Sequence, residues 1–429
     1  MSTHLPHWAV WLVLALVICV RASALQVLRN GLKQDPDGYV AVSTYLGAKN
    51  TFALQENSRG EPVPTAFRPP LYPYLLSWFD MQNVESRVFQ VGVFQFLIGI
   101  GTVILVWQLG LRWQLSPTLA LVAATLVGLD PILVQQSSQI MTETLATLLA
   151  VAALLSLTIA TTRRTVWQFL AGGVLGLCIL CRPTFAVWTA LVVPLVVGIQ
   201  ASWKRRLLAV AGMSLGIALV VQPWVLRNYA QFGRPIVMTT HGGTALLRGN
   251  NALYFQHLKT KPFGTPWESA ALDEQWERDL RQRNIQDELQ ADRFAYQLAW
   301  QEIANQPSMF AKAILVRLSR LYGVVPWQVD ANETPRRRWL RFSIGAFYLV
   351  EFTLAFVGIV ILGKRLLGPP WIWGTLLVLS FTFVHAFYWT DMRMRAPLVP
   401  VIALATAVGA GRVWNWVVDG RHVGSSRAL

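Results

Sequence analysis

Residues 87–110 read RVFQVGVFQFLIGIGTVILVWQLG, an almost wholly apolar run whose one charge, Arg87, stands at its edge. A bilayer core takes roughly 20 such residues per helix. Inside hydrocarbon every backbone amide must find its partner within the segment, so the run reads as a helix. The same ruler finds nine more candidates, near residues 8–28, 117–134, 141–160, 166–181, 184–200, 207–224, 342–363, 371–390 and 396–416. The expected fold class is therefore an all-α integral membrane protein with about ten transmembrane helices, a single polytopic domain over residues 1–429.

Composition agrees. Of 429 residues 54% are hydrophobic and 14% charged, against about 45–50% and about 25% in soluble chains. A soluble enzyme is excluded, and 19 Trp with 20 Phe exclude a disordered chain. Subtracting 22 acids from 37 bases leaves +15, which in a membrane chain speaks to orientation and membrane lipids, with no nucleic-acid partner expected. Cys19, Cys178 and Cys181 all lie in apolar runs, so neither a disulfide framework nor a zinc site is expected. Cys178 and Cys181 read as two small core residues on one helix face.

Two connections are long, about 29–85 and about 225–341, and both fall on the same side of the membrane. The short connections opposite hold Arg112, Arg163, Arg164, Lys204, Arg205, Arg206, Lys364 and Arg365, with Arg412 and Arg421 in the tail. The positive-inside rule then puts the long segments outside, where the chemistry is expected. The protein is read as a multi-pass plasma (inner) membrane protein with an extracytoplasmic active site. Ala22-Ser23-Ala24 resembles a signal-peptidase site, yet no Lys or Arg precedes the first apolar run, so a retained helix is expected. Segment 225–341 holds eleven of the 22 acids, interleaved with arginines, and reads as solvated helix. Residues 309–321, with bases at 312, 317 and 320, fit a helix lying in the headgroup plane.

Acids at a membrane boundary are costly and therefore functional candidates. Asp35 and Asp37, in Gln34-Asp35-Pro36-Asp37-Gly38-Tyr39, flank a helix break just beyond the first span. Converging, they suit a general base, a metal clamp or an acceptor for a substrate hydroxyl; the bland alternative is a solvated turn. Glu143 opens the fourth helix, where a carboxylate also serves as a plain dipole partner. Glu351, inside the eighth span, reads as an interhelical hydrogen bond or buried ion pair. Arg68, Arg182, Arg227, Arg393 and Arg395 stand at helix boundaries on the outer side. Planar guanidinium forks there match a lipid phosphate, though any one of them could simply anchor a helix end. Residues 239–251, with His241, Gly242, Gly243 and Asn250, form a turn-rich segment that suits a substrate loop. It is neither a Walker loop nor a dinucleotide fingerprint.

Together these motifs resemble the GT-C polyprenyl-phosphate-sugar glycosyltransferases: an Asp in the first external loop, Arg-Pro-Pro-Leu-Tyr-Pro at 68–73, Thr142-Glu143, Pro-Trp-x-x-Arg-Asn at 223–228, the Gly242-Gly243…Gly249-Asn250-Asn251 loop, and Arg393-x-Arg395-x-Pro397. The closest likeness is to the group containing protein O-mannosyltransferases and lipid A aminoarabinose transferases. The resemblance implies inverting sugar transfer, serving cell-envelope glycosylation, from a polyprenyl-phosphate-linked donor to a lipid, glycan or protein acceptor at the outer face. It implies Asp35 as the base, Arg68 at the leaving phosphate and Glu143 as the second acid; Tyr39 is counted with the substrate-loop residues His241, Gly242, Gly243 and Asn250. Asp-Pro-Asp replaces the Asp-Glu common in relatives, so the base is Asp35 or Asp37. No cofactor is implied, although the two aspartates leave room for a divalent metal. A transporter or flippase of lipid-linked saccharides is the rival reading.

Overall fold

The structure, a computed structural model, describes residues 7–161, 165–327 and 333–425. Arg163 and Arg164, used above for orientation, lie outside the described residues, as does the side chain of Arg421. The chain is helical almost throughout. Six helical segments are long and apolar enough to cross a membrane: Trp8–Lys33, Val84–Arg112, Glu143–Ala160, Trp203–Phe232, Pro335–Leu367 and Met392–Val418. Four shorter apolar helices, Pro117–Leu129, Thr165–Cys181, Phe185–Gly198 and Trp371–Phe387, fall where the other expected spans lie.

Local chemistry sets the ends. Asn83 accepts from the Glu85 and Ser86 amides to start the Val84–Arg112 helix, and Ser202 and Thr334 cap the helices that begin at Trp203 and Pro335. Gly233, at φ 66°, closes the Trp203–Phe232 helix in the left-handed conformation that glycine adopts without penalty. The run expected as one span over 117–134 is broken, because Asp130 leaves the helix and caps a new one, Pro131–Gln136, through the Leu133 amide at 2.8 Å. An N-cap residue followed by proline starts a helix more readily than it continues one.

Helices meet through small residues. A Cβ at Gly358 would strike the Ala405 carbonyl oxygen, and one at Gly409 that of Leu354, so Pro335–Leu362 and the C-terminal helix pack backbone to backbone. Gly172 and Gly216 do the same for Thr165–Cys181 against Trp203–Phe232. Deepest in the bundle are the segments Glu143–Ala160 and Met392–Val418, each with 67% of its apolar window buried, against 11% for the first helix. Those two carry Glu143 and Arg393 at their N-terminal ends.

Residues 29–85 fold into the helices Tyr39–Lys49 and Leu71–Leu76 and, unexpected from the sequence, a two-stranded antiparallel hairpin, Ala53–Glu56 with Pro62–Pro64. Asn57 makes its turn, accepting from the Arg59 and Glu61 amides. In the second long segment Gly242–Gly249, Ala252–Thr260, Ala270–Gln282, Glu288–Asn305 and Pro307–Leu321 are helical. Two of its acids are not solvated: Glu288 accepts from Thr65 Oγ1 at 2.6 Å and the Ala66 amide at 2.8 Å, tying the two long segments together. Asp292 accepts from the Gly243 amide at 2.6 Å. Two of the three bases of Pro307–Leu321 do not reach outward either. Arg317 and Arg320 are buried, and Lys312 donates to the Leu258 carbonyl.

Candidate active site

Five side chains from distant stretches converge at one end of the bundle. Glu143, 1% exposed, is 3.5 Å from Arg182 Nη2 and 3.6 Å from Arg393 Nη1 through Oε1. Arg393 Nη1 also lies 3.9 Å from Asp37 Oδ2, and Asp37 Oδ1 meets Arg68 Nη2 at 3.4 Å. Asp391 holds Arg393 in place by accepting from its backbone amide at 3.0 Å and from Nε at 3.1 Å. Met141 and Met394 line the cluster, their sulfurs against Arg393 and Arg182. Three guanidiniums thus face two enclosed carboxylates, and the pairing is incomplete: among the described residues Glu143 Oε2, Arg68 Nε and Arg182 Nη1 are buried without a hydrogen-bond partner. Buried charges are retained where geometry and further hydrogen bonds compensate their desolvation. Here spare donors remain.

Beneath the cluster Tyr39 and Tyr72 pack edge to face at 5.3 Å, and Arg68 lies over the Tyr39 ring at 5.7 Å. Burial drives the Tyr39 phenol above its ordinary range, with Arg68 opposing. Burial raises the Tyr72 phenol as well. Both therefore stay protonated.

The remaining predicted residues are engaged elsewhere. Asp35 is exposed, and its carboxylate accepts from the Val40 and Ala41 amides at 3.0 Å each, holding the first turn of Tyr39–Lys49. Arg227 donates to the Thr65 and Phe52 carbonyls at 2.8 and 3.1 Å, and its charge lies over Phe52, Trp224 and Phe232. Arg395, fully buried, donates to the Gly323 and Leu321 carbonyls and lies 4.1 Å over Tyr348, whose hydroxyl donates to Asp130. Asn250 bridges the Leu246 and Phe387 carbonyls and accepts from Arg317. A Cβ at Gly242 would strike the Tyr296 hydroxyl, and one at Gly243 the Asp292 carbonyl. Their close approach is thus to the helix Glu288–Asn305. Glu351 is 3% exposed, and Thr406 donates to its backbone carbonyl. Cys178 and Cys181 are buried and unpaired. Among the described residues no group of three or more His, Cys, Asp and Glu converges to hold a metal, and the Asp37 carboxylate that a cation would need already faces arginines.

His241 stands behind Arg68, its ring 4.5 Å from Phe67 and its Nδ1 2.9 Å from Thr244 Oγ1. Burial, then Arg68 and Arg248, push its pKa from 6.5 down to about 3. The unfolded chain therefore takes up the proton first. The stability held by neutral His241 is complete above about pH 6.5 and is lost as pH falls from there toward about 3. Unfolding free energies of the wild type and of His241→Gln, followed from pH 7 to pH 5, should diverge in slope by at most about 1.4 kcal/mol per pH unit, less where water reaches the ring. Parallel curves would refute the assignment.

Asp391, Tyr72, Met141 and Met394 belong to the cluster although sequence reasoning did not single them out. An Asp two residues before Arg393 was the readable sign for Asp391, as a local cap.

Comparison with known proteins follows from this geometry. Residues 67–226 match the family model described as dolichyl-phosphate-mannose-protein mannosyltransferase; the match takes in Arg68, Glu143 and Arg182. No curated protein sequence matches the chain. Among solved structures, the oligosaccharyltransferase of Archaeoglobus fulgidus in its apo form is similar at 15% identity and a TM-score of 0.52, covering 98% of this chain and 52% of that one. The complex of the same archaeal enzyme, AglB, with an inhibitory peptide and a dolichol-phosphate gives the same identity, coverage and TM-score. ArnT from Cupriavidus metallidurans bound to undecaprenyl phosphate matches at 15% identity and a TM-score of 0.41, covering 95% and 79%. The chain spans about half the length of the oligosaccharyltransferase structures it matches. In architecture, then, this is a multi-pass membrane protein that shares the fold of the Archaeoglobus fulgidus oligosaccharyltransferase, and its residues 67–226 carry the sequence pattern of the mannosyltransferase family model.

Proposed function

We propose that the chain is a membrane glycosyltransferase that moves a sugar from a polyprenyl-phosphate-linked donor to an acceptor hydroxyl, with inversion, at the non-cytoplasmic rim of the bilayer. The observation that carries this reading is the enclosed cluster in which Arg68, Arg182 and Arg393 surround Asp37 and Glu143 with guanidinium donors to spare. A sugar phosphate supplies the acceptors those donors lack. The AglB complex with dolichol-phosphate, a protein of the same fold, supports a lipid-phosphate donor. The outer-face assignment rests on charge. Arg112, Lys204, Arg205, Arg206, Lys364, Arg365 and Arg412 lie in connections at the other end of the helices, so the segments 29–85 and 225–341 are external.

In the proposed step the acceptor oxygen attacks the anomeric carbon from the face opposite the phosphate. The bond from that carbon to the phosphate oxygen breaks, and its electron pair leaves with the polyprenyl phosphate. The hydroxyl proton passes to a carboxylate acting as general base. Asp37 is the better placed of the two aspartates, because it faces the arginines while Asp35 caps a helix. Arg68 and Arg393 stabilise the charge that grows on the leaving phosphate, and Glu143 holds Arg182 and Arg393 in register. Purified protein given a lipid-linked sugar and an acceptor should release free polyprenyl phosphate. A protein that only moves the intact lipid-linked saccharide across vesicles, releasing none, would overturn the reading.

A further inference from the structure

Beside the charged cluster lies a second grouping that the reaction does not use. Tyr254, Trp267 and Trp389 face one another with ring centroids 5.0 to 5.8 Å apart. Arg320 enters from the helix Pro307–Leu321, its guanidinium carbon 4.1 Å from the Trp327 ring and 5.0 Å from that of Trp389. The two indoles cover its faces and leave the edge that carries the N–H donors. Arg320 is only 8% exposed, yet among the described residues its Nε has no hydrogen-bond partner, and neither has the hydroxyl of fully buried Tyr254. Arg317, one turn earlier and fully buried, leaves Nε and Nη2 unanswered. Trp267, Trp327 and Trp389 are each partly exposed, so their rings are reachable. Buried donors without partners are rare in settled protein interiors and call for something that answers them.

Reachable aromatic faces beside fixed polar donors suit one chemistry well. A pyranose ring has an apolar face of C–H groups, which lies on an indole, and a rim of hydroxyls, which accept from a guanidinium. The position supports the same occupant. Trp389 lies four residues before Arg393, and Asp391, between them, holds Arg393 while its charge also bears on Arg320. We propose that this group of rings and guanidiniums binds a saccharide ring and that the acceptor of the transfer is a glycan. The term acceptor rests on the function proposed above; the term saccharide rests on the aromatic group alone.

The full chain, in a detergent without a sugar headgroup and with no donor present, is titrated calorimetrically with hexasaccharides of mannose, glucose, N-acetylglucosamine and galacturonic acid. At least one should bind. Trp267→Ala should weaken that binding about tenfold or more, the factor that about 1.4 kcal/mol of lost contact represents, and Trp267→Phe, which keeps a ring, should recover most of it. If none of the four binds, the proposal falls. It falls equally if Trp267→Ala binds as tightly as the wild type, which would place the saccharide away from these rings. Release of polyprenyl phosphate by the wild type is scored separately. Its absence beside intact saccharide binding would remove the transferase reading and leave the aromatic group as a saccharide site, whereas release without saccharide binding would do the reverse.

Discussion

Asp37→Asn should lower sugar transfer on the order of 10³-fold while leaving the unfolding temperature close to that of the wild type, because a positioned general base is worth about 10²–10⁴ in rate. The substitution keeps the shape of the side chain and one of the two oxygens, which can face Arg68 or Arg393 but not both, so most of the loss falls on proton transfer rather than on folding. Asp35→Asn should behave differently. Its carboxylate accepts from two backbone amides at the start of Tyr39–Lys49, one on each oxygen; an Asn oxygen keeps one of these bonds, and the expected loss of transfer is under about tenfold. Polyprenyl phosphate release under single-turnover conditions, beside thermal unfolding of each variant, separates the two. If Asp35→Asn abolishes release and Asp37→Asn remains active, the assignments must be exchanged.

The spans were legible because hydrocarbon imposes a length and a composition that few other structures satisfy, and helix ends at Asn83, Ser116 and Thr334 carry ordinary capping chemistry. Each of Asp37, Arg68, Glu143, Arg182 and Arg393 stands at a helix boundary, and the structure brings the five together at one end of the bundle. What local sequence could not convey is which arginine faces a carboxylate and which fastens backbone. Arg227 and Arg393 have the same signature, a base at the end of an apolar run. Yet Arg227 is consumed by the carbonyls of the segment 29–85, and only tertiary packing decides that. Gly242 and Gly243 illustrate the same gap. Their lack of a side chain signals a close approach, and the partner proves to be the helix Glu288–Asn305. The Ala53–Glu56 hairpin escaped because its short strands show no sustained alternation, although Asn57 and Gly60, at φ 76°, form its turn.

Arg68→Ala should reduce transfer by about 10²–10³, the range found when one preorganised donor to a developing charge is removed. The reduction should appear in kcat more than in KM. Phosphate charge is greater in the leaving group than in the bound donor, so an interaction that strengthens as the bond breaks is lost from the barrier rather than from ground-state affinity. Arg68→Lys should restore only part, because an ammonium supplies charge without the planar fork that lies over Tyr39 and Phe67 and reaches Asp37. The informative contrast is Arg227→Ala. That guanidinium bonds the Thr65 and Phe52 carbonyls that frame the hairpin, and its removal strands the Thr65 carbonyl and leaves that of Phe52 only the Thr65 amide, so it should lower the unfolding temperature more than Arg68→Ala does. Donor kinetics of Arg68→Ala indistinguishable from the wild type would rule out the phosphate role. A loss confined to KM would leave Arg68 as a donor-binding group that takes no part in bond cleavage.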